Sequence, residues 1–433
     1  MSLDKYIEVC TDKLFYNSPN ITTSNNIIRQ MLYADWTATA KVSPYIEKLL
    51  VKYVYPYYSN THSNSQYGLL MKKYIDNTKY IINKCFNLTD DHLILFIGSG
   101  CTGAINYLIK SIDFEIYDEV YIYISIYEHH SNYLPWVLIC NIYKSVKLII
   151  IPLIKDSEHI DLNFFKTSLQ NILNKNSLII CSIISASNVN GYILPISKIK
   201  NILNKTSLKY FLFSDYACSS PYIDIDASIF DAIFLSPHKM VGGAQTPGIL
   251  IAKKQLFTKS YPLFPGGGCV KMANSSIIEY ESSLESRESA GTPDIIGIIR
   301  IGLVIKLKYK YFNFIKHNEK ILFKYMKFEI NRLSIKYPIF KTIFYDKSNN
   351  HLPILSFNIF GLHHSYISSQ LNDKYAIQSR SGISCAGLLA EYCELYYNIK
   401  GWCRISFHWS MKKKEILYIF ECIEDIIINT RRK

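Results

Sequence analysis

The sequence has no long apolar run: nowhere do its 433 residues reach the roughly 18 consecutive apolar side chains that a membrane-spanning helix needs. Its apolar stretches, such as Leu148–Leu153 and Leu178–Ile184, are strand-length. The first fifteen residues carry acid groups early and lack both a basic-plus-apolar signal and an Arg-rich amphipathic pattern, which predicts a cytoplasmic protein with no membrane segment. The 11 cysteines are sparse for this length and include no CxxC pair or Cys/His cluster with metal-ligand spacing, so reduced thiols and no metal site are expected. No internal repeat is visible. Charged residues make up only 19% of the chain, and the formal net charge of +13 is spread among Ile, Asn and Tyr over the whole length. That dispersal argues against nucleic acid as a partner and leaves a weakly basic surface for an anionic one.

What the chain does have is apolar mass. With 49% hydrophobic residues it can bury a large core. From Leu93 to Lys253 short β-branched runs alternate with amphipathic stretches, the pattern of parallel strands joined by crossover helices. Strands are predicted at Leu93–Ile97, Glu119–Ile126, Val146–Ile151, Leu178–Ile184, Tyr210–Ser214, Ala232–Leu235 and Gly248–Ala252. Helices are predicted between them at Gly103–Ser111, Asn132–Asn141, Leu162–Leu173 and Ile196–Leu203. Pro262–Gly268 and Gly291–Pro293 then punctuate the chain before a long helical run from Ile295 to about Tyr337. A strand (Ile354–Ile359), a helix (His363–Asp373), a strand within Trp402–Trp409 and a closing helix from Met411 complete an α+β pattern. The expected organisation is an N-terminal segment over 1–30 near the small domain, a large α/β domain over 31–294 with a mostly parallel seven-stranded sheet, and a small α+β domain over 295–433.

Four segments carry candidate chemistry. Ala232-Ile-Phe-Leu-Ser-Pro-His-Lys-Met-Val-Gly-Gly sets Ser236, His238 and Lys239 at the end of a buried strand, where ligands of α/β sheets sit; a solvated loop lysine is the plainer reading of the same residue. Asp215 ends another apolar strand, a costly place for a carboxylate unless a cation such as a protonated pyridine nitrogen faces it. Gly98-Ser-Gly-Cys-Thr-Gly-Ala is a strand-to-helix turn whose free N–H groups suit an anion. Tyr127-Glu-His-His-Ser-Asn brings His129 or His130 to the same sheet edge, though a lone histidine there is often structural.

Taken in order, these segments resemble the class V aminotransferase family, and especially its cysteine desulfurase branch, from about Tyr33 to about Ser410. Further matching motifs are Tyr33-Ala-Asp-Trp-Thr-Ala-Thr, Asn60-Thr-His-Ser, Ser185-Ala-Ser-Asn-Val-Asn-Gly, Arg287-Glu-Ser-Ala-Gly-Thr-Pro, Gln378-Ser-Arg-Ser-Gly-Ile-Ser-Cys-Ala-Gly and Gly401-Trp-Cys-Arg-Ile-Ser. The resemblance implies a fold-type I homodimer that uses pyridoxal 5'-phosphate. It assigns Lys239 to the Schiff base with the cofactor, Asp215 to the pyridine nitrogen, and His129 to ring stacking and proton transfer. It gives the phosphate to Cys101, Thr102, Ser236 and His238, with Thr292 reaching in from the partner subunit. Asn188, Arg380 and Arg404 would meet an amino-acid substrate, with L-cysteine expected, and Cys385 would accept its sulfur as a persulfide for an acceptor protein. One residue departs from the pattern: Cys218 stands where typical cysteine desulfurases have a Gln that bonds the cofactor phenolate. An aminotransferase or β-lyase with Cys385 as a bystander, and a non-catalytic binding protein on the same fold, stay open alternatives at this stage.

Overall fold

The structure is a computed structural model that describes residues 14–344 and 350–431. The expected cytoplasmic N-terminus and part of the 1–30 segment therefore lie outside the described residues. Among the described residues no helix is long and apolar enough to cross a membrane.

A seven-stranded sheet runs in the order His92–Ile97, Gly248–Lys253, Ala232–Leu235, Lys209–Asp215, Ser177–Ile184, Glu119–Ser125, Val146–Ile151. Only Gly248–Lys253 is antiparallel to its neighbours; the remaining pairs are parallel. Central strands of such a sheet are covered on both faces and read as continuous apolar runs, and Ser177–Ile184 is buried at every position. The predicted strands and crossover helices are thus present, with ends shifted by a residue or a few. One consequence matters for the site: Ile97, Ser125, Ile184, Asp215 and Leu235 all end their strands on the same edge of the sheet.

The predicted helical run after Gly291–Pro293 divides into Ile295–Lys310 and Phe312–Lys336, broken at Tyr311, where φ is −103° and ψ is 13°. Ile301, Val304 and Ile305 of the first helix pack into the core of the large sheet. Leu322, Met326, Ile330 and Leu333 of the second pack into a separate core. The helix pair joins the two cores, and as a proposal the division between units is better drawn near Tyr311 than at 295.

The second core underlies a four-stranded antiparallel sheet ordered Phe340–Thr342, Ile354–Ile359, Trp402–Ser406, Arg380–Gly382 and backed by the helix Lys413–Arg431. The sequence reading had not separated the short strand Arg380–Gly382 or the helix Gly387–Tyr397 from their surroundings. The N-terminal strand Leu32–Tyr33 pairs in parallel with Ile377–Gln378, and Ser24 N–H donates to Asp373 O at 2.7 Å. These pairings draw the Tyr33–Thr39 motif up to the sheet edge of the large unit.

Candidate active site

The strand Ala232–Leu235 ends at Ser236, and the single helical turn Pro237–Lys239 that follows is closed by Lys239 N–H donating to Ser236 O at 3.0 Å. That turn presents Lys239 to a cavity of about 220 Å³ between the two units. Of the residues singled out in the sequence, all but His130 and Thr292 line this cavity, Arg380, Cys385 and Arg404 arriving from the C-terminal unit and the others from loops at the strand ends. Thr292 is exposed and its hydroxyl accepts from Asn60 Nδ2 at 3.1 Å, so it takes no part in its own chain's cavity.

The floor holds an uncompensated acid. Asp215 is 1% exposed, with one carboxylate oxygen accepting from Ala217 N–H at 2.8 Å, and among the described residues it makes no ion pair. Burial pushes its carboxyl up from the ordinary range, against the opposing pull of that N–H and of Lys239. A cationic ring nitrogen is the kind of group that would restore its charged form, which is the test a pyridine cofactor must pass here.

The anion end is built from the turn before the helix Gly100–Ser111. Ser99 and Gly100 both adopt left-handed backbone, φ 59° and 60°. A Cβ on Gly100 would stand 2.7 Å from Ser236 Oγ, so glycine is required for the close approach. Cys101 N–H donates to Ser236 Oγ at 2.9 Å, and Thr102 Oγ1 lies 2.6 Å from Ser131 Oγ. These hydroxyls and the helix N-terminus make a neutral donor set suited to a phosphate.

Two imidazoles flank this end. Burial, reinforced by Lys239, His130, Arg404 and Arg380, pushes His129 down to about 3. Its Nδ1 accepts from Ser131 N–H at 3.1 Å, which caps the helix His130–Ile142 and leaves Nε2 as the ring's donor. Burial, then Lys239, likewise pushes His238 down to about 4. Both rings are neutral at physiological pH.

The opposite wall is cationic. Arg404 is buried; its Nη1 donates to Asn188 O at 2.9 Å and its Nη2 pairs with Asp35 Oδ1 at 2.9 Å. The other oxygen of Asp35 takes Arg380 Nε at 3.1 Å. Asp35 was not among the site residues read from the sequence, although it stands inside the quoted Tyr33–Thr39 motif. Two buried polar atoms on this wall have no partner among the described residues, the donor Arg404 Nε and the acceptor Asn188 Oδ1. Cys218 lies at the base with its thiol raised to about 11 by burial, so it is a neutral group facing the cavity.

Cys385 is exposed and sits on a short loop that lines the cavity. Ser384 and Cys385 are both left-handed, each with φ 54°. Asn188 Nδ2 donates to Ser384 O at 2.7 Å, and Trp402 Nε1 to Ser384 Oγ at 3.0 Å.

Comparison with known proteins gives one consistent answer. A protein of Wigglesworthia glossinidia brevipalpis described as a cysteine desulfurase is 30% identical over 363 residues, covering 81% of this chain and 82% of the relative. A probable cysteine desulfurase of Borreliella burgdorferi is 28% identical over 407 residues, 90% of each chain. Among solved structures, the apo cysteine desulfurase of Thermococcus onnurineus NA1 superimposes with a TM-score of 0.80 at 21% identity, covering 92% of this chain and 95% of that one. The cysteine desulfurase CsdA of Escherichia coli gives 0.75 at 20% identity over 91% and 94%. These two likenesses speak for the fold alone. The family described as Aminotransferase class-V matches residues 32–419, almost the whole of the region in which the motifs were found, and this chain belongs to it.

Proposed function

We propose that the protein is a pyridoxal-phosphate-dependent cysteine desulfurase that moves sulfur from L-cysteine to Cys385 and releases alanine. The observation that carries this reading is the meeting of an exposed loop thiol, a strand-end lysine and a buried arginine at one cavity. The relatives described as cysteine desulfurases support it.

The residues fit the cofactor. Lys239 would hold it covalently, Asp215 would face its ring nitrogen, His129 would stack on the ring, and the Cys101–Thr102 turn with Ser236 and His238 would take the phosphate, joined by Thr292 from the second subunit of a homodimer. Bound there, the cofactor supplies an electron sink for negative charge developing at the substrate Cα.

This chain's own groups do the rest. The α-carboxylate of an amino acid matches Arg404, whose Nε is open, in a charge-assisted contact, and its ammonium matches the open Asn188 Oδ1. Arg380, half-exposed at the rim, would steer the anion inward. Lys239, released as a free amine when the substrate amine takes its place, would take the Cα proton as general base. The Cys385 thiolate would attack Sγ: the sulfur–sulfur bond forms as Cβ–Sγ breaks, the electron pair stays on the carbon skeleton, and protonation there gives alanine. The persulfide, at an exposed position, would pass its outer sulfur to an acceptor protein in the cytoplasm.

Product analysis tests the reading. With L-cysteine the wild type should yield alanine and a persulfide on Cys385, and Cys385→Ala should lose both while keeping the bound cofactor's spectrum. Pyruvate and free sulfide from the wild type, or full turnover by Cys385→Ala, would replace the desulfurase with a β-lyase.

A further inference from the structure

The loop that carries Cys385 is held by a residue the mechanism does not use. His129 and His130 are neighbours at the start of the helix His130–Ile142, yet their rings diverge, with centroids 6.4 Å apart and planes 54° off parallel. His129 faces the cavity. His130 does not line it, and turns instead to the nucleophile loop on the C-terminal unit.

Two hydrogen bonds make the link, both on the C-terminal side of the thiol. His130 N–H donates to Cys385 O at 2.8 Å, and Gly387 N–H donates to His130 Nε2 at 3.1 Å. Gly387 is the first residue of the helix Gly387–Tyr397, and its N–H is one of the groups a helix start leaves without an intrahelical acceptor. The capping position is filled by Ala386, which makes no side-chain cap. The ring of His130 therefore does from 257 residues away in sequence what a local Ser or Asp does at other helix starts. A Cβ on Gly387 would stand 2.8 Å from His130 Nε2, so the approach also requires glycine there. Between the capped helix and Trp402, the consecutive left-handed residues Ser384 and Cys385 are held in a conformation that side-chain-bearing residues adopt reluctantly.

We infer that His130 is a positioning residue for Cys385: by capping the helix Gly387–Tyr397 with Nε2 and binding Cys385 O with its own N–H, it sets where the thiol stands at the cavity. The inference rests on the reading of Cys385 as sulfur acceptor. Substitution of the ring leaves the backbone contact in place, so His130→Ala removes only the cap. Gln, whose terminal oxygen reaches about as far as the imidazole Nε2, is the conservative replacement that can still accept from Gly387 N–H.

The experiment compares wild type, His130→Ala and His130→Gln as cofactor-loaded full-length protein. Three readouts are taken: alanine formation from L-cysteine, exchange of the substrate Cα proton with solvent deuterium, and amide hydrogen exchange of the segment 383–388. In His130→Ala, kcat for alanine should fall by roughly tenfold to a hundredfold, as expected for a misplaced reacting group, with KM and Cα exchange nearly unchanged. Amide exchange in the segment should quicken by about tenfold as the cap is lost, and His130→Gln should restore both quantities. Unchanged alanine formation in His130→Ala overturns the inference. So does a parallel fall of kcat and Cα exchange, which would mean damage to the cofactor site, or amide exchange of the segment that does not respond. A wild type that forms no alanine refutes the sulfur-transfer reading itself, while the amide exchange still reports whether His130 caps the helix.

Discussion

Asp35→Asn is the perturbation whose cost is most directly worked from the geometry. The Asp35 carboxylate bridges Arg404 Nη2 at 2.9 Å and Arg380 Nε at 3.1 Å, and the side chains of Asp35 and Arg404 are only 8% and 3% exposed. Burial disfavours the Arg404 charge, and Asp35 is the group that opposes this. Removing one member of a buried pair costs about 3–5 kcal/mol, because the remaining charge is left desolvated. Asn keeps one acceptor, and the Arg380 side of the bridge, 46% exposed, contributes about 0–1 kcal/mol, so the lower end of the range, about 3 kcal/mol, is expected. At about 1–2 °C per kcal/mol for a chain of this length, the melting temperature should drop by about 3–6 °C. The uncompensated Arg404 then has a use for any carboxylate. Addition of L-alanine should raise the melting temperature of Asp35→Asn by more than that of the wild type, since the ligand replaces the missing counter-charge. A variant that melts like the wild type, or one that L-alanine stabilises less, would refute both the energetic role of Asp35 and the assignment of Arg404 to the substrate carboxylate.

Two further outcomes are expected. Lys239→Ala should abolish any cofactor chromophore that borohydride can fix to the protein, since Lys239 is the lysine that lines the cavity; a retained, fixable chromophore would place the linkage elsewhere. For pH, His129 is held near 3 in the folded protein against about 6.5 unfolded, so the unfolded chain binds the proton first as pH falls. Stability from this residue is complete above about pH 6.5 and is lost below it, by about 1–2 kcal/mol at pH 5 after allowing for partial exposure. Thermal melts at pH 7.5 and 5 should therefore differ less for His129→Gln than for the wild type, and an equal difference would show that His129 is not part of the acid sensitivity.

How much of this was legible beforehand follows from where each residue gets its meaning. Lys239 and Asp215 stood out because a charged residue at the end of an apolar, β-branched run contradicts its surroundings, and a contradiction of that kind can be seen within about ten residues. The strands themselves were legible for the same reason, since a strand covered on both faces needs a continuous apolar run. The break at Tyr311 left no mark, because Lys-Tyr-Lys-Tyr-Phe contains neither glycine nor proline and the bend is imposed by two separate cores pulling on one helical stretch. The helix Gly387–Tyr397 was hidden likewise: it has no local cap, its first N–H being satisfied by His130. Asp35 belongs with these. Its neighbours in sequence, Ala34 and Trp36, say nothing of a charge, and its partners Arg380 and Arg404 are 345 and 369 residues away. Lys239 and Asp215 were thus readable from local pattern, and Asn188, Arg404 and Cys385 only through the resemblance of their motifs to a family, whereas the residues that hold them in place are defined by contacts between the two units, which no single stretch of sequence contains. The same division separates the two kinds of substitution proposed above. Changing Lys239 or Cys385 should remove a chemical step, while changing Asp35 or His130 should leave each step possible and move the groups that perform it.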